Sequence, residues 1–258
     1  MDDITQNLIA RRYHIRPSML RKAIARARNA SVPVKRPVVV TENGRDRKLK
    51  VVRNGVGMLI LHDKIFYQFE FSVDDTWRRY SVLFRGKVDA HFNPVYANRR
   101  TLLLRIDSGC ETGQIAGDLT CDCRDQLEKS IGIISSKNEG MVIRIPFQEG
   151  KGTGLTNKLG AHLLENELGI SNVEAAYLLS KGREIDVRTY SGAIAVLKFL
   201  GVGRGVKIRV MTNNPRKLAI FGENGYMMER FPLRIRPNRF TYRHLKAKQD
   251  YLGHEGLI

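Results

Sequence analysis

The chain has 258 residues, 42% of them hydrophobic and 27% charged, which are globular values with room for one large domain or two modest ones. No apolar run is long enough to cross a bilayer, and the start Met1-Asp2-Asp3-Ile4-Thr5-Gln6 has no basic region leading into an apolar one, so neither a membrane partner nor a signal peptide is expected. A formal net charge of +18 calls for an anionic partner: nucleic acid, a phosphorylated small molecule or an anionic surface.

Residues 1–37 read as a helical, strongly basic extension in which Arg11, Arg12, Arg16, Arg21, Lys22, Arg26 and Arg28 crowd together. Pro17 suits the first turn of a helix, and Leu20, Ala23, Ile24 and Ala27 share one face at helical spacing. The span Ile9–Arg21 has the look of a helix-turn-helix, which would make its second helix a groove reader. The plainer reading, favoured here over nucleic acid, is an arm packed on its own protein or on a partner subunit. Ser31 to Pro37 is a linker by composition. Val38-Val39-Val40 and Leu49-Lys50-Val51-Val52 are strands parted by an Asn43-Gly44 turn. Residues 56–92 continue in strand-like fashion, with Phe66, Tyr67, Phe69 and Phe71, and Trp77 falls near a turn. His62 and His91 stand alone and suggest no ligand set.

From residue 100 the pattern changes. Leu102–Ile106 is a buried-type strand, and a glycine-containing loop follows it. A helix begins near Cys121 with Leu127, Ile131 and Ile134 on one face, and Gly140 stands beyond its end. Met141–Ile145 is the next strand; a second helix carries Leu155, Leu159, Leu163 and Leu168; a third holds Ala193, Ile194, Leu197 and Leu200. Val206–Met211 is a strand running into the polar turn Thr212-Asn213-Asn214-Pro215-Arg216-Lys217. Strands alternating with helices predict an α/β fold with a mainly parallel or mixed sheet and helices on both faces. Ligands of such sheets gather at the carboxyl ends of the strands. Cys110, Glu149 and Thr212 all fall just past strands.

All three cysteines, Cys110, Cys121 and Cys123, lie in one stretch rich in acids and glycine. Three sulfur ligands with one position left open is the arrangement of a zinc ion that activates water. The alternatives are three inert buried thiols or a structural zinc closed by a fourth side chain, for which nothing nearby is evident. A disulfide is disfavoured by the odd count, and reduced thiols fit a cytoplasmic setting. The loop Gln148–Gly154 has three glycines and Lys151 but no Gly-Lys-Ser/Thr, so it is not a P-loop; its amides and lysine could meet an anion, or it could be only a tight turn. Thr212 to Lys217 offers a hydroxyl, two amides, a helix start and a lysine to a phosphate. Asp186 and Arg188 are an ion pair in the plain reading.

Taken together, Cys110…Cys121-Asp122-Cys123…Gln126-Leu127-Glu128, Gln148-Glu149-Gly150…Gly154-Leu155…Asn157-Lys158, Val173-Glu174-Ala175, Asp186-Val187-Arg188 and Thr212–Lys217 stand in the order seen in GTP cyclohydrolase II, which the chain resembles over residues 80–235 and most strongly over 101–218. The resemblance implies a zinc enzyme that opens the imidazole ring of GTP, releases formate and pyrophosphate, feeds riboflavin synthesis, uses magnesium at the phosphates and is a homodimer. It implies one zinc per chain on Cys110, Cys121 and Cys123, a proton acceptor at Asp186 and an arginine described as nucleophile at Arg188. It places substrate contacts at Arg105, Asp107, Ser108, Gly109, Gln126, Glu149, Gly150, Lys151, Thr212 and Lys217. A guanidinium stays protonated in proteins, so charge stabilisation at the α-phosphate is the physically easier role for Arg188. The chain then divides into the extension 1–37 and a catalytic domain 38–258, with a β-rich part 38–100 and a core 101–235.

Several positions depart from the family pattern. Lys151 stands for arginine, Arg105-Ile106-Asp107-Ser108-Gly109 for Arg-Val-His-Ser-Glu, and Arg124 for a glycine. His162 stands where the family has a tyrosine implicated in the second hydrolytic step. Ring opening with altered deformylation, leaving a formamidopyrimidine, is therefore an expectation, as is acceptance of another purine nucleotide such as GMP. The competing reading is a non-catalytic nucleotide sensor or nucleic-acid-binding regulator; retention of the cysteines, Asp186 and Arg188 weighs against it.

Overall fold

The computed structural model describes residues 3–74, 78–96 and 101–258, so Trp77 lies outside the described residues. Helices α1 (Asp3–Arg12) and α2 (Pro17–Ala30) come first, with Pro17 in the first turn of α2. Only Ala10 and Ala30 of the two are buried among the described residues, and Leu20 and Ile24 are half covered. The apolar face of α2 thus finds little to pack against.

Strands β1 (Val34–Glu42) and β2 (Arg45–Leu61) form a hairpin closed by Asn43 and Gly44, both at positive φ, as a tight two-residue turn demands. β1 starts inside the stretch that looked like linker. Pro37 is tolerated there because β1 is an edge strand. Strands β3 (Lys64–Val73) and β4 (Arg79–Arg85) continue the meander, and β5 (Lys87–Val88) with β6 (Pro94–Val95) makes a small separate ribbon. The alternating half is β7 (Thr101–Asp107), α3 (Cys123–Lys137), β8 (Gly140–Arg144), α4 (Leu155–Leu168), α5 (Asn172–Ser180), α6 (Ser191–Phe199), β9 (Lys207–Met211), α7 (Arg216–Glu223), β10 (Met228–Phe231) and α8 (Thr241–Leu252).

Eight strands form one mixed sheet in the order β1-β2-β3-β4-β8-β7-β9-β10. β1 to β4 and the β4–β8 joint are antiparallel, whereas β8–β7, β7–β9 and β9–β10 are parallel. The β-rich part is therefore continuous with the parallel part, joined where Ser81–Arg85 pairs Arg144–Gly140. Alternation along each strand sends side chains to two cores. Leu102, Leu104, Ile106, Met141 and Ile143 pack with α6 and α7 on one face. Leu103 and Val142 pack with Ile131 and Ile134 of α3 on the other.

Three helix details differ from the pattern-based reading. α3 ends on Asn138 in the left-handed conformation, not on Gly140, which opens β8. The leucines of α4 are not its buried face: Leu159 and Leu163 are 52% and 58% exposed, while Ala161 and Glu165 are buried. The inner face of α4 carries Lys158, His162 and Glu165, which have charged partners inside. α5 and α8 have no counterpart in the helical pattern of the sequence.

Candidate active site

The parallel strands β7, β8 and β9 end at Asp107, Arg144 and Met211, and the loops leaving those ends converge. Cys110 caps a wide helical turn, Glu111–Ile115, and its Sγ accepts from Gly113 N–H at 3.3 Å. A side chain at Gly113 would press on the Cys110 and Cys121 sulfurs at 3.1 Å, so the turn needs glycine to bring them close. The Cys110 and Cys121 sulfurs lie 3.5 Å apart, and the ligand atoms of Cys110, Cys121 and Cys123 all fall within 4.8 Å of one another.

Among the described residues, no fourth His, Cys, Asp or Glu joins this trio within the same limit. Cys121 also belongs to a second group with Asp122 and His244, from which Cys110 and Cys123 are absent. The thiols compete for ionisation. Hydrogen bonds from Cys121 and Cys123, with the Lys158 ammonium at 3.0 Å, pull Cys110 far down. The Cys110 sulfur in turn pushes Cys121 up to about 12 and, with Cys121, Cys123 well above its ordinary value. A divalent cation relieves that mutual repulsion, so this donor set fits zinc with an open position.

Around the sulfurs lies a small cavity of about 130 Å³ lined by Arg105, Lys151, Lys158, Arg188, Lys217 and Lys248, against only Asp107 and Glu149 among carboxylates. Arg105, on β7, donates to Gln126 Oε1 at 2.8 Å and to the Met211 carbonyl at 3.3 Å. Asp107 is buried and accepts from Gln114 Nε2 at 3.0 Å and from Gly109 N–H at 3.2 Å. Gly109 has positive φ, and a Cβ there would meet Pro146 Cα at 2.7 Å, so the carboxylate of the family pattern has no room at this position without a shift. Ser108 lines the cavity beside it.

The glycine loop folds on itself. Gly150 and Lys151 are both left-handed, and the amides of Gly152, Thr153 and Gly154 bond within the loop. The Lys151 side chain lines the pocket and donates to Asn172 Oδ1 at 3.1 Å. Burial, then repulsion from Lys248 and Arg188, lowers Lys151 to about 8. Glu149 is already occupied: Lys158 Nζ is 2.7 Å from Oε1, and the Glu111 amide donates to Oε2.

Asp186 and Arg188 face each other in the loop before α6, with Arg188 Nε and Nη2 donating to Asp186 Oδ1 and Oδ2 at 2.8 and 2.5 Å. Burial alone would raise the Asp186 carboxyl, but the Arg188 hydrogen bonds and the charges of Arg188 and Arg216 outweigh it and hold it below its usual range. Burial likewise works against the Arg188 cation, and the Asp186 bonds more than reverse it. In the third loop Thr212 Oγ1 accepts from Asn214 N–H at 3.0 Å, and Lys217 Nζ donates to the Ile106 carbonyl at 2.8 Å. Burial, then Arg105 and Arg188, lowers Lys217 to about 7.

All the residues singled out from sequence thus line this one pocket or neighbour those that do, with Asp186 behind Arg188 and one clear exception. His162 sits between Asp118, at 3.6 Å, and Glu165, at 3.3 Å, outside the lining. His62 is a surface residue 3.6 Å from Glu128. Residues not assigned from sequence also line the pocket: Gln148, Lys158, Asn172, His244, Lys248 and His254. Asn172 opens α5, whose start was legible as Ser171-x-x-Glu174, a reciprocal capping box formed by Glu174 N–H to Ser171 Oγ and Ser171 N–H to Glu174 Oε2. His244 and Lys248 come from α8, signalled by Asn238 before it and Gly253, in the left-handed conformation, after it.

The family model for GTP cyclohydrolase II matches residues 66–229. A protein named GTP cyclohydrolase-2 from Picrophilus torridus is 40% identical over 152 residues, covering 58% of this chain and 76% of that protein. Another from Campylobacter hominis is 41% identical over 151 residues, 58% of this chain and 74% of that one. The Riboflavin biosynthesis protein RibBA of Aquifex aeolicus is 40% identical over 154 residues, 59% of this chain, but the match spans only 36% of that longer protein. The sulfur trio, the Asp186–Arg188 pair and the Thr212–Lys217 turn all lie inside the matched span, converging at the carboxyl ends of three parallel strands. By this match, the chain belongs to the GTP cyclohydrolase II family.

Proposed function

We propose that this chain is a hydrolase that opens the imidazole ring of GTP at C8 and releases pyrophosphate. The observation that carries the reading is an open trio of sulfurs set into the wall of a cavity with six cationic side chains. Zinc held by Cys110, Cys121 and Cys123 would supply Lewis acidity and bring the pKa of water to about 7. The rest is done by the chain itself. Lys151, Lys217 and Arg105 meet the phosphates, where buried cations act at low dielectric and need no reorganisation. Magnesium belongs to the same reading, as a further counter-charge on the phosphate chain. Asp186 fixes Arg188 by two parallel hydrogen bonds, so Arg188 presents a permanent guanidinium to the α-phosphate and is not a nucleophile. Lys158 holds Glu149 and contacts Cys110, linking the substrate loop to the sulfurs.

The formyl group is the branch point. With His162 in place of tyrosine, outside the lining of the pocket and with its buried Nε2 hydrogen-bonded to no described residue, the reading favours retention of the formyl group as a formamidopyrimidine. Zinc-replete protein incubated with GTP, GMP and ATP, with products identified by mass, tests both steps. GTP converted to a ring-opened monophosphate is expected. Unchanged GTP overturns the function, and one formate per turnover overturns the branch alone. A homodimer is part of the same reading. Leu159 and Leu163, one turn apart and exposed on α4, are the surface assigned to the second copy. Leu163→Asp is expected to yield monomer in sedimentation, and an unchanged mass would remove the assignment.

A further inference from the structure

Residues 230–258 lie beyond the span that the family model matches. Even so, α8 and the turn after it form one wall of the pocket, through His244, Lys248, Leu252 and His254. Positions 244, 248 and 252 follow at intervals of four, so one helix face is turned to the site. The wall is pinned from two sides. Arg243 Nη1 donates to the Gly169 carbonyl at 2.6 Å and Tyr251 OH to Glu174 Oε1 at 3.3 Å, while Glu255 N–H donates to the Asn213 carbonyl at 3.3 Å. Leu245 and Ala247 are buried, and Ala247 and Leu252 meet Val173, Ile185 and Ala176 in a cluster separate from both main cores.

Lys248 Nζ lies 2.9 Å from Asp122 Oδ1, its one hydrogen bond among the described residues. An ammonium has three donors, so two remain on a residue that lines the pocket. Asp122 does not cap α3, although it stands at the cap position. Its second oxygen accepts from Gln126 Nε2, and Gln126 Oε1 accepts from Arg105 Nη2 at 2.8 Å. Lys248 and Arg105 are thus the two ends of a hydrogen-bonded chain beneath the cavity. Burial works against the Lys248 cation, but the Asp122 carboxylate and the Cys123 and Cys121 sulfurs more than reverse it, so an ammonium stands in the wall of a cavity otherwise rich in cations.

We propose that Lys248 contacts the phosphate chain of the substrate and that α8 is the wall that carries it to the site. The inference rests on the reading of the pocket as a nucleotide triphosphate site, and the test separates the two. Zinc-replete full-length protein is titrated with inorganic tripolyphosphate, and hydrogen exchange of residues 241–254 is followed. Lys248→Gln is expected to keep its zinc and to bind tripolyphosphate at least about tenfold more weakly. Lys248→Arg is expected to recover most of the affinity. Ligand should slow exchange across α8 in the wild type and not in Lys248→Gln. Unchanged affinity in Lys248→Gln, or no tripolyphosphate binding by the wild type, overturns the proposal. Zinc lost together with affinity also overturns it, since Lys248 then serves only to hold the cysteine loop through Asp122. Wild-type turnover of GTP reads separately: a chain that grips tripolyphosphate through Lys248 yet leaves GTP intact keeps this wall and refutes the ring opening.

Discussion

Between Ile4 and Thr41 the chain carries nine Lys and Arg side chains and no Asp or Glu; between Arg230 and Ile258 it carries seven against Asp250 and Glu255. Both stretches fall outside the span that matches the family, and both are helical in large part. In the first, the arginines of α1 and α2 point to solvent, and Arg26 stacks 5.0 Å from the Phe92 ring. In the second, Leu245 and Ala247 are buried, and Lys248 is carried inward to Asp122 beside two cysteines. An exposed cation costs almost nothing to place and so says little about function. A buried one is expensive, and its presence needs a partner or a purpose. The net charge of +18 therefore has two different meanings at the two ends.

The sharpest way to break this contrast is at the sulfurs. Cys121→Ser removes one of three ligands and is expected to abolish both zinc binding and GTP turnover, with zinc content measured beside activity. Full activity without zinc would detach the pocket from the chemistry. The next largest effect is expected at Asp186→Asn. Loss of the carboxylate frees Arg188 from its two parallel bonds, and turnover should fall about a hundredfold or more with the fold intact by circular dichroism. A fall of less than threefold would mean that the pair is only structural.

How much of this could be read without coordinates depends on what kind of information each feature carries. Cys110, Glu149 and Thr212 could be placed together because strand ends in a parallel sheet share one edge, and the order of strands and helices shows where those ends fall. The continuity of β4 with β8 could not be read, because strand pairing across the sheet leaves no periodicity in either strand. Leu159 and Leu163 show the limit of the helical pattern: it gives a stripe, not the direction the stripe faces. α8 escaped because its buried positions, Leu245 and Ala247, are few among many charges, and its function depends on a neighbour, Asp122, that lies 126 residues away. The amides of the glycine loop could be read as an anion nest or as a turn, and only their bonds within the loop decide for the turn.

A pH titration sharpens the meaning of the buried cations. Lys217 is lowered to about 7 in the unliganded pocket by burial and by Arg105 and Arg188, with Asp107 pulling the other way. Its folded value is therefore below its unfolded one. Between about pH 7 and 10 the unfolded chain holds this proton and the folded chain does not, so this lysine makes stability rise with pH across that window. An anion in the pocket reverses the shift. Tripolyphosphate binding is then expected to take up a proton above pH 7 and to weaken as pH rises. Calorimetry in buffers of different ionisation enthalpy would show the uptake, and Lys217→Met should remove that share of it. A wild type whose affinity is flat from pH 7 to 9 would place the anion elsewhere.

The smallest effect is expected at the other end of the comparison. Changing Arg21, Lys22, Arg26 and Arg28 together to Gln alters exposed charge far from the pocket, and surface substitutions of this kind shift stability by only about 0.5 kcal/mol each. Arg26 has an added contact among the described residues, its stacking on Phe92, which at an exposed site is worth about 0.5–1 kcal/mol. Turnover of GTP should stay within about twofold of the unchanged chain, because no described residue of α1 or α2 is among those that line the pocket. The same variant tests the remaining meaning of the arm. If the wild type binds duplex DNA or RNA with an affinity that drops steeply with salt, and the four changes flatten that slope, then the exposed cations are a phosphate-binding surface after all. In that case burial would no longer separate the two ends of the chain, and the arm would have to be counted as a second site for the same chemical group.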